Sequence, residues 1–307
     1  LSAALLLGRC RRRVLVCDTR EPRNRWARAV NGFFSRDGVP PHELLELARE
    51  QLGRYDTVEL REACVEDAER VDDGFEVMLA GGGRERSRTL LLATGVVDDV
   101  PDIPGFADLY GEGVHHCPYC DGWEYSGRRL AAYGRGDAAF GLAQGLTVWT
   151  DDVVLCTDGP SGLDDERRAE LAASGIDVRE EPVTGLESRG GTLTAVLLDG
   201  GGRVECDGLF FATGQRQASR LPAKFGCHFT SKGAVATGTR ETTDVPGLFV
   251  AGDASKNSQL VAIAVGEGTE AGFEINRTLL EADLAARREA ARRGTPARPA
   301  SAAEPRS

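Results

Sequence analysis

The most reactive spacing in the sequence is Cys117-Pro118-Tyr119-Cys120-Asp121-Gly122. Two cysteines separated by two residues can close a short disulfide, and the arrangement lowers the pKa of one thiol. Asp121 follows the pair as a candidate proton carrier. His115 and His116 precede it and could stabilise a thiolate or shuttle protons near neutral pH. Tetrahedral zinc is the rival reading. It needs four ligands, and no second C-x-x-C exists among Cys10, Cys17, Cys64, Cys156, Cys206 and Cys227. An inert buried pair is a third reading, and the six lone cysteines read as core residues.

A second signal is Gly134-Arg135-Gly136-Asp137-Ala138-Ala139, a G-x-G-x-x-A turn. Gly134 would make the tight turn and Gly136 would let the backbone approach a pyrophosphate. Ala139 would let strand and helix pack closely. Cys156-Thr157-Asp158 ends the next strand, about 20 residues on, where a ribose-binding acid belongs. Asp158 could accept from a 2′-hydroxyl, and no neighbour in sequence is basic, which leans towards NADH over NADPH. The third signal is Val245-Pro246-Gly247-Leu248-Phe249-Val250-Ala251-Gly252-Asp253, followed by Gln259. An acid delivered to the carboxyl end of a buried strand suits a ligand hydroxyl, although a capping role would give the same pattern.

The elements that position these residues alternate between strand and helix. Apolar runs at 14–17, 90–93, 130–133, 153–156, 209–212 and 248–251 lack period-two alternation, as parallel strands covered on both faces do. Helices are predicted over 1–8, 42–52, 138–146, 166–174 and 259–280. The class is therefore α/β with largely parallel sheets. Val100-Pro101-Asp102-Ile103-Pro104-Gly105 is a break and a candidate domain boundary. Residues 285–307 are rich in Ala, Arg and Pro and read as a disordered tail.

Size and charge narrow the function classes. The 307 residues suit about two domains. With 37 basic and 48 acidic residues the net charge is −11, which disfavours nucleic acid as a partner. No apolar run approaches the ~20 residues of a membrane span. Cysteines in a long acidic chain without a signal sequence point to a reducing, cytoplasmic setting. The chain opens on Leu1 and has one Met, at 78, so it reads as a fragment or processed form.

Together these motifs resemble the low-molecular-weight thioredoxin reductases among the two-domain flavoprotein disulfide oxidoreductases. The order carries the resemblance: an acid-ended strand, Ala93-Thr94-Gly95, C-x-x-C-D-G, G-x-G-x-x-A, Ala212-Thr213-Gly214, and the Gly252-Asp253 strand end. The resemblance implies two Rossmann-like nucleotide-binding domains of three-layer ββα form. An FAD domain would comprise residues 1–100 plus 239–284, with an NAD(P) domain at 101–238. Asp18 would bind the adenosine ribose of FAD and Asp253 the ribityl chain. Gln259 would lie near the isoalloxazine, and Asn31 and Val65 match further FAD-contacting positions. Cys120 would face the flavin, Cys117 would exchange with substrate, and Asp121 would act as acid/base. A homodimer is the family's habit. Residues 1–9 resemble the stretch directly after the family's first glycine turn, so that turn and its strand are expected to be missing.

Three functions follow. The first passes electrons from NADH or NADPH through FAD and Cys117–Cys120 to a thioredoxin-like protein or small disulfide. The second runs from a small dithiol to FAD and then oxygen. His-His-Cys-Pro-Tyr-Cys resembles that dithiol-oxidase branch, and a histidine beside the pair, His116, could deprotonate the substrate. The third is an inactive flavoprotein-like fragment or a structural zinc protein.

Overall fold

A computed structural model describes residues 1–256 and 258–293. Its central element is a five-stranded parallel sheet. Leu130–Gly134 lies at its middle, between Val153–Cys156 and Gly208–Ala212, with Asp177–Arg179 and Val114–His115 at the edges. Leu130–Gly134 is buried along its whole length, which is why its apolar run does not alternate. Helices Gly136–Leu146 and Asp165–Ala173 cover one face. An antiparallel three-stranded sheet, Val183–Arg189, Thr192–Leu198 and Arg203–Glu205, covers the other through Val183, Leu193, Val196 and Leu198. This is the three-layer ββα arrangement.

The second layered unit is built from both ends of the chain. Val14–Asp18 pairs in parallel with Val58–Glu62, and Leu248–Val250 pairs in parallel with Leu90–Leu92. Its antiparallel meander is Val65–Val71, Gly74–Leu79 and Arg84–Ser87. Val96–Asp98 and Gln215–Gln217 form a two-stranded antiparallel ribbon where the chain crosses between units.

Two expectations change. Leu221, Cys227 and Val235 pack with Ala68, Phe75 and Leu248, so residues 221–238 share the core of the first unit instead of the nucleotide unit. The return crossing therefore lies at the Gln215–Gln217 ribbon and not at 239. The closing helix, Val261–Arg292, also runs on through 285–292. That stretch is Ala-Ala-Arg-Arg-Glu-Ala-Ala-Arg, all strong helix formers. Residues 294–307 of the expected tail lie outside the described residues. Near its start this helix lies against Ser2–Arg9, and a Cβ at Gly272 would sit 3.1 Å from the Ala3 backbone. Among the described residues, no helix is long and apolar enough to cross a membrane.

Burial sorts the cysteines. Cys156 and Cys206 are buried, and desolvation pushes both thiols up to about 12. Cys10 and Cys64 are exposed. Iodoacetamide on the native protein should label Cys10 and Cys64 within minutes and leave Cys156 and Cys206 unlabelled until denaturant is added. Fast native labelling of Cys156 would show that the five-stranded sheet is open.

Candidate active site

Cys117 and Cys120 form a disulfide with 5.3 Å between their Cα atoms. Cys117 stands at the N-cap of a single helical turn, Pro118–Asp121, with Pro118 in the first position where its missing N–H has no cost. The Cys120 and Asp121 amides donate to the Cys117 carbonyl at 3.0 and 3.2 Å. Gly122 must lack a side chain here, because a Cβ would approach the Trp149 ring to 2.7 Å.

His115 ends the strand that feeds this turn, and His116 follows it directly. His115 is buried against Phe210 and Tyr125. Its Nδ1 is 3.5 Å from Asp121 Oδ2 and its Nε2 is 3.0 Å from the Tyr125 hydroxyl. His116 Nδ1 is 3.0 Å from the Tyr110 hydroxyl, which donates to Asp98 Oδ2 at 2.7 Å. Burial, the largest influence on His116, holds its imidazole below the ordinary range although Asp98, Asp121 and Asp253 pull the other way. His116 is therefore neutral at neutral pH, as a base must be.

Arg23 joins this cluster to the other unit. Its Nε donates to Asp98 Oδ2 at 2.9 Å, and its Nη1 donates to Asp253 Oδ2 at 2.8 Å and to Gln259 Oε1 at 2.6 Å. A further bond runs from its Nη2 to Asp98 Oδ1. Burial works against ionisation of Asp98, but the Arg23 hydrogen bonds and the nearby positive charge outweigh it and hold the carboxyl below the usual range. Asn31 Nδ2 donates to the Cys120 carbonyl at 2.9 Å, a second tie between the units.

The expected FAD residues are distributed as follows. Asp18 ends its parallel strand, takes the Arg20 amide on Oδ1 at 3.0 Å, and pairs with Arg49. Asp253 follows the last parallel strand, after Gly252, whose φ is +80°. The Gly252 amide donates to Glu267 Oε2 at 2.7 Å. Val65 opens the antiparallel meander opposite Leu79. Carboxylates at the ends of parallel strands and the Gln259 side-chain oxygen are acceptors that fit the ribose and ribityl hydroxyls of FAD, with Arg23 among them as a donor.

The glycine turn also fits a nucleotide. A Cβ at Gly134 would meet the Ala212 carbonyl at 2.9 Å and Ala139 at 3.3 Å, so strand and helix pack closely there. Gly136 has φ +62° and open space beyond it, as close approach of a pyrophosphate requires. Asp158, at φ +50°, is held from within the chain. It accepts from the Val183 amide at 2.8 Å and the Tyr133 hydroxyl at 3.2 Å. Arg135 Nη2 lies 3.5 Å away, a cation that neighbours in sequence did not reveal.

Sequence reasoning missed Arg23, Asp98, Tyr110 and Glu267. None belongs to a motif, and only the fold brings them together. Among the described residues, no three His, Cys, Asp or Glu side chains form a group that could hold a metal ion.

The family model described as pyridine nucleotide-disulphide oxidoreductase matches residues 3–268. The chain belongs to the pyridine nucleotide-disulphide oxidoreductase family. Within that family it is an oxidoreductase of the thioredoxin reductase type acting on sulfur, and the family's cofactors are FAD and NADH or NADPH. It is 30% identical to thioredoxin reductase tcpT of Claviceps purpurea, over 92% of each chain. Thioredoxin reductase sirT of Leptosphaeria maculans is 29% identical over 94% of this chain and 93% of its own. The match to a probable thioredoxin reductase of Arthroderma benhamiae is shorter, 52% of this chain and 41% of that protein. Among solved structures, HlmI superposes with a TM-score of 0.91 at 35% identity, over 96% of this chain and 93% of its own. An oxidoreductase from Agrobacterium tumefaciens gives 0.84 at 34% identity, over 91% and 94%.

Proposed function

We propose that Cys117–Cys120 passes electron pairs between FAD and a small disulfide, a thioredoxin-like protein or a low-molecular-weight compound, with NADH or NADPH as the reductant. The reading is supported above all by one juxtaposition: a disulfide with Asp121, His115 and His116 around it, joined to the Asp253 side of the site through Arg23. Asp18, Asp253 and Gln259 would hold FAD, with Asn31 and Val65 nearby. Gly134, Gly136 and Ala139 would receive the nicotinamide nucleotide, with Asp158 near its ribose. FAD, when bound, supplies the electron pair that opens Cys117–Cys120.

His116 or Asp121 takes the Cys117 S–H proton, the thiolate attacks the substrate disulfide to form a mixed disulfide, and the released substrate sulfur takes that proton back. Cys120 then attacks Cys117 Sγ. The second substrate sulfur leaves, taking the Cys120 proton, and the Cys117–Cys120 bond closes. The substrate gains two electrons and two protons.

A second reading, oxidation of a small dithiol with oxygen as acceptor and peroxide as product, is favoured by a specific observation. The Asp158 carboxylate is engaged by Val183 and Tyr133, and the Gly136 amide already donates to the Ser161 carbonyl at 2.8 Å. A nucleotide phosphate could take the Gly136 amide only by breaking its bond to Ser161, and a ribose hydroxyl would have to share Asp158 with the two bonds it already accepts.

FAD-loaded protein mixed anaerobically with NADH, NADPH and a small dithiol in turn separates the two. The first reading expects flavin bleaching by a nucleotide. Bleaching by the dithiol alone, with peroxide formed on admitting air, would replace it with the second. No bleaching by any of the three would overturn both. We place the enzyme in the cytoplasm as a homodimer. Phe273, Leu280 and Leu284, exposed on the closing helix, offer apolar surface for a second copy.

A further inference from the structure

We propose that Tyr110 and Asp98 are positioning residues that keep the His116 proton on Nδ1 and leave Nε2 as the base for the thiol of the substrate. The inference rests on the thiol–disulfide reading of the site, and it adds two residues and a defined tautomer to it.

Asp98 lies almost wholly buried, and as a carboxylate it can only accept. It takes bonds from the Arg23 guanidinium and, at 2.7 Å, from the Tyr110 hydroxyl. The hydroxyl has one proton, and that proton points at Asp98. Towards His116, 3.0 Å away, the Tyr110 oxygen can therefore only accept, so Nδ1 must be the nitrogen that carries hydrogen. A neutral imidazole has one N–H, so Nε2 holds the lone pair. Among the described residues, no protein group is hydrogen-bonded to Nε2. Tyr110 is fixed for this task, since its ring packs edge-on against Phe211 at 5.6 Å.

In the step served, the substrate S–H proton moves to Nε2. The substrate sulfur bonds to Cys117 Sγ, the Cys117–Cys120 bond breaks, and its electron pair leaves on Cys120 Sγ. In the opposite direction, protonated His116 returns the proton to the departing substrate thiolate. The charged groups facing His116 are Asp98 and Arg23 through Tyr110, Asp121 on the following turn, and Asp253 on the loop across the site. Burial dominates over their summed field and keeps the ring neutral below the ordinary histidine value of 6.5. The fall in thiol-exchange rate as the ring takes up its proton should therefore come at lower pH than an ordinary histidine would give.

The test reads the tautomer directly. Side-chain ¹⁵N–¹H correlation spectra of the full chain contain four histidines, and His116→Gln identifies the His116 signals. The expected result is a neutral His116 with hydrogen on Nδ1. In Tyr110→Phe, which keeps the ring and loses the hydroxyl, that preference should disappear. Exchange of Cys117–Cys120 with dithiothreitol should slow in that variant, by less than the ~10²-fold that loss of the whole base would cost. A wild-type His116 with hydrogen on Nε2 would overturn the proposal, as would an unchanged rate in Tyr110→Phe. The wild-type spectrum, once His116→Gln has identified its signals, needs no turnover, so it decides the tautomer even if the function reading fails or Tyr110→Phe does not fold.

Discussion

Cys117→Ser and Cys120→Ser should each abolish substrate turnover, by a factor on the order of 10⁴–10⁶, the scale seen when a covalent nucleophile is removed. The two losses are distinguishable. With Cys120 replaced, Cys117 can still attack a substrate disulfide, but nothing resolves the adduct, so a mixed disulfide on Cys117 accumulates and appears by mass spectrometry. With Cys117 replaced, the remaining thiol is Cys120, the partner assigned to face the flavin, and it should yield little adduct. Cys156 and Cys206 cannot substitute, because burial keeps both protonated and out of reach. Equal trapping by both variants would mean that the roles of the two cysteines are not divided as argued.

The second large effect is structural and begins away from the sulfurs. Gly111→Ala should destabilise the protein by about 2–4 kcal/mol, combining a left-handed backbone with a clash against main chain. Gly111 has φ +87°, and a Cβ there would fall 2.2 Å from the Trp26 carbonyl oxygen. The turn after Tyr110 thus rests directly on the segment that carries Arg23. Gly127 is the internal control: its φ is +71° but nothing lies within 4 Å of a Cβ. Gly127→Ala should cost only about 1 kcal/mol. Thermal unfolding of the two variants should separate clearly, and Gly111→Ala should also slow thiol exchange by displacing Tyr110. Equal melting points would contradict the close packing of the two segments.

Much of the fold was legible because parallel strands advertise themselves. The run Leu130–Tyr133 is buried on both faces and reads as such, and so do Val153–Cys156 and Leu248–Val250. Val65–Val71 was not legible as a strand. Its sequence, VEDAERV, buries Ala68 fully while charged side chains face water, so no apolar pattern marks it. The outward crossing between the units carried a Pro/Gly break near 100–105. The return crossing at Gln215–Gln217 is a polar strand in a ribbon and carried none.

The site divides in the same way. Cys117, Cys120, Asp121 and the glycine turn sit at short fixed spacings, because one helical turn or one strand–helix junction does their work. Arg23, Asp98, Tyr110 and His116 come from four separate stretches and meet only after the units pack. Asp158 shows the converse. Its place at a strand end matches a ribose acid, yet its carboxylate is already engaged by Val183 and Tyr133, which no reading of adjacent residues could have shown.

The most direct measurement is of the disulfide itself during reaction. FAD-loaded protein is mixed anaerobically with one equivalent of a small dithiol or of nicotinamide nucleotide, quenched with an alkylating agent, and digested for mass spectrometry. The account predicts that Cys117 and Cys120 gain alkyl groups together, in step with oxidation of the added reductant, while Cys156 and Cys206 stay unmodified until denaturation. Oxidation of the reductant with Cys117–Cys120 still closed at every time point would contradict it.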